Sequence, residues 1–351
     1  MDSNNIIFFF ILTLVTFFFY KYFLYFTSNY SPKLLIDDNL SKPQAFHTYP
    51  VSIAGGLGIF FAFTLTTLYL FFFKQIVYYE YITFCLVFFL LGLADDLKIS
   101  IRPKFRLLIM VFSLIALVIY NELYIERTGI EFLNNFLEID IFALFFICLC
   151  FLFIINGSNL IDGFNGLLGI HSLIILINLF IINYFNENYD LALILFIGIL
   201  SLIIFLVFNF PKAKILLGDS GSYFLGTFIA LSVIKTSLAN PTISPFYFCI
   251  LLFYLFFEVF FSFIRKIVSE KTSPLFPDKK HLHMLIFKIF LKRNNDKVKS
   301  NYSTAVTINL VYLLLIIPPI FFTDNGMFCK YYSILFFIIY IFSYKIAQKK
   351  T

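Results

Sequence analysis

The chain has 351 residues, 61% of them hydrophobic and 13% charged, with 26 Lys and Arg against 20 Asp and Glu. A soluble domain carries about 25% charged residues, so this composition, with a mean hydropathy of +0.92, excludes an ordinary water-soluble globule. The net charge of +6 lies mostly in loops between apolar runs, which argues for a basic membrane face and against nucleic-acid binding.

Apolar runs near 20 residues, long enough to cross a hydrocarbon core of roughly 30 Å, recur along the chain. They fall at 6–26, 51–73, 76–94, 105–120, 140–155, 167–184, 191–209, 222–239, 244–264, 303–323 and 328–346. The pattern predicts an all-α, polytopic integral membrane protein with about 10–11 transmembrane helices. No linker, low-complexity tract or repeat divides it, so residues 1–351 are read as one domain. The first run has no preceding Lys or Arg and no small-residue cleavage site, which predicts a retained helix rather than a signal peptide. Cys85, Cys148, Cys150, Cys249 and Cys329 sit in or beside apolar runs without ligand spacing, so neither a zinc site nor a disulfide framework is expected.

Five polar clusters punctuate the runs. The first, from Lys42 to Pro50, is a Pro-bounded entry to the second helix, and His47 within it is a candidate substrate contact. The second is Asp95-Asp96, directly after an apolar run and followed by Lys98, Arg102, Lys104 and Arg106. Adjacent aspartates repel unless a cation or basic neighbours hold them. They suit a base or a magnesium relay, with the basic residues gathering phosphate. A plain charged loop is the alternative, but carboxylates at a membrane boundary are costly to place idly.

The third cluster, Asn156 to Gly166, breaks an apolar run with Asn156, Asn159, Asp162, Asn165 and three glycines. Irregular polar backbone at membrane depth survives only where it is buried in protein or lines a wet cavity. Its amides and carboxylate offer oxygen ligands to a hard cation, far more than a simple turn needs. The fourth, Gly218-Asp219-Ser220-Gly221, sets a further oxygen ligand beside small residues, although such a turn is common by itself. The fifth lies in the long hydrophilic stretch 265–302, where Arg265 precedes a Pro-Asp-Lys-Lys-His-Leu-His segment ending in His281 and His283. Nearby Cys or carboxylate partners for zinc are lacking in sequence, which favours phosphate contact. His171 and Glu258, inside apolar runs, are read as packing or helix-pairing residues.

Charge sets the expected orientation. With eleven spans and the N-terminus outside, 21 of the 26 basic residues fall in inside segments and four in outside loops. Cytoplasmic loops retain Lys and Arg, so the expectation is N-terminus out and C-terminus cytoplasmic. All five clusters then open on the cytoplasmic face.

In this order the clusters resemble the polyprenyl-phosphate N-acetylhexosamine-1-phosphate transferases, the family of WecA, TagO and MraY. The likeness is strongest over 35–290 and rests on the NxxNxxDGxxGL and PDxxHxH patterns, with the Asp pair and the GDSG turn. The HxH form is closer to the WecA/TagO branch. The resemblance implies transfer of an N-acetylhexosamine 1-phosphate from a cytoplasmic UDP-N-acetyl sugar to undecaprenyl phosphate in the bacterial inner membrane. UMP is released, and a lipid-linked sugar starts a cell-surface glycan. It implies Mg2+, with Mn2+ as a substitute, and it allows a homodimer surrounded by membrane lipid. Carried onto this chain, Asp219 and Asn159 are metal ligands, and Asp95 is the base, supported by Asp96 and Asp162. Lys104, Asn156, Asn165, Arg265, His281, His283 and His47 are substrate contacts, with Asn165 facing uracil or, alternatively, tightening its turn. Asn165 replaces the second Asp of most bacterial members, and Met284 follows His283 where a further His is usual.

The chief rival is a transporter or flippase, which would spread ionisable residues near the midplane along a path between both faces. Clusters gathered at helix ends on one side favour interfacial chemistry instead.

Overall fold

A computed structural model describes residues 3–29, 35–37, 50–99, 101–273 and 279–351. His47 lies outside the described residues. Eleven helices coincide with the eleven apolar runs: α1 (Ser3–Asn29), α2 (Gly55–Tyr69, extended by a π turn over Leu70–Lys74), α3 (Tyr79–Asp96), α4 (Pro103–Tyr120), α6 (Asp140–Ile161), α7 (Leu167–Phe185), α8 (Tyr189–Asn209), α9 (Gly218–Ala239), the pair α10 (Pro245–Leu251) and α11 (Phe253–Ile264) counted as one, α13 (Lys297–Ile320) and α14 (Gly326–Lys350). Two shorter helices, α5 (Glu131–Leu137) and α12 (Leu282–Asn294), lie between them. Among the described residues nine helices are long and apolar enough to cross a membrane, or ten if the α10–α11 pair, bent by 74°, is one span. The α3 helix is apolar between Glu80 and the Asp95-Asp96 pair and packs along α9, which makes it the further span.

Three boundaries differ from the sequence reading. The irregular break expected from Asn156 begins only at Asp162, because α6 runs as helix through Ile161. The run at 51–73 does not begin as helix: Val51–Ser52 forms strand β2, antiparallel to β1 (Ile36–Asp37). This short hook also binds the segment before α9, with Leu216 N–H donating to Ser52 O at 2.8 Å and Gly56 N–H to Leu217 O at 2.8 Å. The stretch 265–302 is not simply a polar loop, since α12 rises within it and buries His283, Leu285 and Phe287.

The α9 helix is the axis, packed against α2, α3, α6 and α7. Small residues permit the approach, as they do between membrane helices generally. A Cβ on Gly92 of α3 would stand 2.3 Å from the Asp219 carbonyl oxygen, so α3 can lie against the start of α9 only with glycine there. The α1, α4 and α14 helices lie outside and expose Phe10, Phe18, Phe112, Ile338 and Phe342, as lipid-facing helices should. Spanning helices consecutive in sequence alternate in direction. The end of α3, the end of α6 and the start of α9 therefore share one end of the bundle. Glu80 at the start of α3 meets Lys235 near the end of α9 at the other.

Candidate active site at one end of the bundle

The site is built around the first turn of α9. The opening N–H groups of a helix have no intrahelical acceptor and carry partial positive charge. Here the acceptor comes from another helix. Asp96 at the end of α3 takes Asp219 N–H on Oδ1 and Ser220 N–H on Oδ2, both at 2.9 Å, and is itself buried. Gly218 makes room, because it adopts φ of +80° and a Cβ there would sit 2.8 Å from Asp96 Oδ2. Asp96 thus fixes the backbone that carries Asp219.

Asp219 turns its side chain into the open, 37% exposed, and accepts Asn159 Nδ2–H on Oδ1 at 2.7 Å. Asn159 comes from the last turn of α6 and also donates to Ser222 Oγ at 3.1 Å. Arg106, from the first turn of α4, pairs with Asp95 at 2.6 Å and stands 3.8 Å from Asp219 Oδ2. Asp162, just past the end of α6, is half-buried by accessible surface. Enclosure, and then the nearby Asp219 and Asp96 charges, push its carboxyl well above the ordinary carboxylate range. Four carboxylates from α3, α6 and α9 thus converge, with a guanidinium from α4 among them. Crowding of this kind is relieved by a cation.

The donor set is oxygen-rich and open. Among the described residues no three His, Cys, Asp or Glu are arranged as a preformed metal cage. Oxygen donors of this kind suit Mg2+, which is commonly held by one or two carboxylates together with substrate phosphates and water. Asp219 and Asn159 are the residues that would hold it. Asn159 would ligate through its Oδ1, not through the Nδ2 that now faces Asp219.

The carboxylates, Asn159 and Arg106 fall within one matched segment: a family model for glycosyl transferase family 4 covers residues 78–237, a little under half of the chain. It is similar to an undecaprenyl-phosphate alpha-N-acetylglucosaminyl 1-phosphate transferase of Thermotoga maritima, 28% identical over 76% of this chain and 77% of the relative. A probable undecaprenyl-phosphate N-acetylglucosaminyl 1-phosphate transferase of Bacillus subtilis is 29% identical over 56% of this chain and 54% of the relative. A phospho-N-acetylmuramoyl-pentapeptide-transferase of Streptococcus agalactiae is 35% identical, over 41% of this chain and 45% of the relative. The chain therefore spans about half the length of the last two.

The other expected residues divide. Asn165, in the turn between α6 and α7, donates its Nδ2–H to Pro211 O at 2.9 Å, and its backbone N–H donates to Asn301 Oδ1 at 2.8 Å. Lys104 is exposed on the first turn of α4 and forms no ion pair among the described residues. Asn156 donates to Leu152 O on its own helix at 2.8 Å. Arg265 donates to Glu270 Oε1 at 2.8 Å and Ser262 Oγ at 3.3 Å. Outside the membrane, Lys280 first and then Arg265 hold the Glu270 carboxyl below its ordinary range. A cavity of about 450 Å³ opens at the opposite end, between Tyr78, Glu80, Asp190 and Lys235, and none of the expected site residues lines it.

His281 and His283 are buried, with rings parallel at 5.4 Å. The sequence reading found no nearby carboxylate partner for them and took Glu258 for a packing or helix-pairing residue. Glu258 does pair helices, joining α11 to Tyr340 of α14 and Leu282 of α12, and the fold also makes it the missing partner, 3.2 Å from His281 Nδ1 and 3.8 Å from His283 Nδ1. The signal was present in sequence, since an ionisable residue inside an apolar run is a functional candidate by default. His171 does pair helices, facing Asn309 Oδ1 on α13 at 3.2 Å.

Proposed function

We propose that this protein transfers an N-acetylhexosamine 1-phosphate from a UDP-sugar to undecaprenyl phosphate, releasing UMP and forming the lipid diphosphate sugar that starts a cell-surface glycan. The observation that carries the reading is the meeting of Asp219 and Asn159 beside Asp95, Asp96, Asp162 and Arg106, at one end of a membrane bundle. The names of the Thermotoga maritima and Bacillus subtilis relatives support the same acceptor and the same kind of transferred group.

Joining a phosphate anion to a diphosphate brings several negative charges together, so catalysis is chiefly positioning and charge compensation. Magnesium, when bound, would supply the divalent charge that offsets the diphosphate and the departing UMP. The chain's own residues supply the rest. Asp96 holds the start of α9, so that Asp219 is fixed where the donor phosphates arrive. Asp95 takes the remaining proton of the lipid phosphate, and Arg106 keeps Asp95 oriented and adds positive charge. With Nδ2 tied to Pro211, Asn165 leaves Oδ1 to accept from the N–H of uracil. An Asp at this position would offer the same acceptor. Lys104, His281 and His283 serve the phosphates and the sugar.

The site faces the cytoplasm of a bacterial inner membrane, with the N-terminus outside, because the site end carries most of the Lys and Arg. In a background without native cysteines, Cys at exposed Lys299 should be shielded from an impermeant thiol reagent in intact cells, and Cys at exposed Asn135 should label. The reverse pattern would overturn the orientation. The activity itself is tested with purified protein, magnesium, undecaprenyl phosphate and a panel of UDP-sugars, measuring UMP and lipid product. No product from any UDP-N-acetylhexosamine would sink the reading.

A further inference from the structure

Glu258 is the one acidic residue of α11, whose sequence Phe253–Ile264 is otherwise aromatic and aliphatic apart from Ser262. Its side chain is 1% exposed. A carboxylate so placed is tolerated only when its lone pairs are occupied, and the structure occupies both oxygens. Oε1 accepts Leu282 N–H at 2.9 Å and faces His281 Nδ1 at 3.2 Å, while Oε2 accepts the Tyr340 hydroxyl from α14. Leu282 is the first residue of α12, so Glu258 caps α12 from another helix while gripping the histidine in front of it.

The grip has a chemical direction. An ionised carboxylate only accepts, so His281 Nδ1 must carry the hydrogen in this contact. The partner of one ring nitrogen decides what the other presents. His283 stacks parallel to His281, stands 3.4 Å by Nδ1 from the Tyr254 hydroxyl and meets the Phe164 ring edge-on at 5.6 Å. Phe164 is two residues beyond Asp162, so the histidine pair rests on the turn that carries a site carboxylate.

We propose that Glu258 is the positioning residue of the histidine pair: it fixes the Nδ1–H form of His281 and docks the 281–283 segment, so that the imidazoles stand ready for the donor diphosphate. The inference rests on the transferase reading for the identity of the ligand, but not for the geometry. Its test uses two readouts. The chain has four histidines, so 15N-histidine-labelled full-length protein in nanodiscs gives a short spectrum, assignable by single His→Gln variants. Wild type should show an Nδ1-protonated ring assigned to His281, beside the one that His171 presents to Asn309 Oδ1. Glu258→Met, which removes the acceptor, should lose that signature while melting as a folded protein, and Glu258→Gln, which keeps one acceptor oxygen, should retain part of it. In the transfer assay Glu258→Met should raise KM for the UDP-sugar about tenfold, with KM for undecaprenyl phosphate unchanged, and Glu258→Gln should recover part of the loss. An unchanged His281 signature in folded Glu258→Met overturns the proposal, as does an unchanged donor KM. If wild type turns over no UDP-sugar, the transferase reading fails, and the positioning role is decided by the ring signature alone.

Discussion

The starts of α9 and α12 are built alike, each capped by a buried carboxylate from a different helix: Asp96 of α3 in one case, Glu258 of α11 in the other. Each cap fixes the side chains that open its helix, Asp219 in the first and the His281–His283 pair in the second. The surroundings then diverge. Around Asp96 other carboxylates gather, and Asp219 stays 37% exposed. Around Glu258 the rings of His281 and His283 and the Tyr340 hydroxyl close over a side chain only 1% exposed. One device therefore serves two ends: an open anionic centre suited to metal and phosphate, and a sealed clamp that orients rings.

The comparison can be broken most severely at Asp96. Asp96→Ala leaves two N–H groups of α9 without their acceptor, worth about 2–5 kcal/mol together. The expected result is a clearly lower melting temperature in detergent and turnover below detection. Asp96→Asn, which keeps an acceptor oxygen, should lose less of both. A melting temperature unchanged in Asp96→Ala would show that the cap does not hold α9.

Arg106 sharpens the contrast, because the clamp at Glu258 has histidines where the open centre has a guanidinium. Arg106→Ala should lower kcat roughly 100-fold, the scale of losing one charge-stabilising group, with melting unchanged. Arg106→Lys should recover part, since lysine keeps the charge without the fork. Equal activity in Arg106→Ala would remove Arg106 from the site.

Asn165, in the turn between α6 and α7, tests the proposed nucleotide contact. Asn165→Leu should raise KM for the UDP-sugar by roughly 5- to 150-fold, the range expected for about 1–3 kcal/mol of lost polar contact. The penalty should be smaller with a CDP-linked form of the same sugar. An equal fall with both donors would assign Asn165 to its tether on Pro211 and not to the base. The smallest effect belongs to Tyr340→Phe, which removes one of the bonds to Glu258. About 1 kcal/mol of stability and less than about fivefold in KM are expected, read by melting and steady-state kinetics. A loss as large as that of Glu258→Met would make Tyr340, not the carboxylate, the anchor of the clamp.

How much of this was legible in the sequence differs between the two regions for physical reasons. Asp95-Asp96 was visible because charges at the end of an apolar run are expensive and conspicuous. Asn159 and Asp219 were separately visible as polar breaks, but they lie 60 residues apart, and their contact depends on helix packing that Gly92 permits. Glu258 was hidden by its neighbours: a single carboxylate among aromatic residues leaves the apolar period intact, and its partners lie 23 and 82 residues away. The α12 helix was obscured by the Lys-rich hydrophilic stretch around it, although it buries Leu282, Leu285 and Phe287. Strand β2 is only two residues long, too short to show an alternating pattern, so the run at 51–73 read as helix from its first residue. The eleven runs themselves were legible because crossing a bilayer demands length and apolarity that few other structures need.

The most direct measurement of the open centre compares UMP release by purified wild type and Asp219→Ala, with undecaprenyl phosphate, UDP-N-acetylglucosamine and magnesium, alongside melting curves for both. Wild type should release UMP, stop when EDTA is added and resume with excess magnesium. Asp219→Ala should melt normally and release UMP at least about 1,000-fold more slowly. Full turnover in excess EDTA, or wild-type rates from Asp219→Ala, would contradict a metal-dependent transfer site at the start of α9.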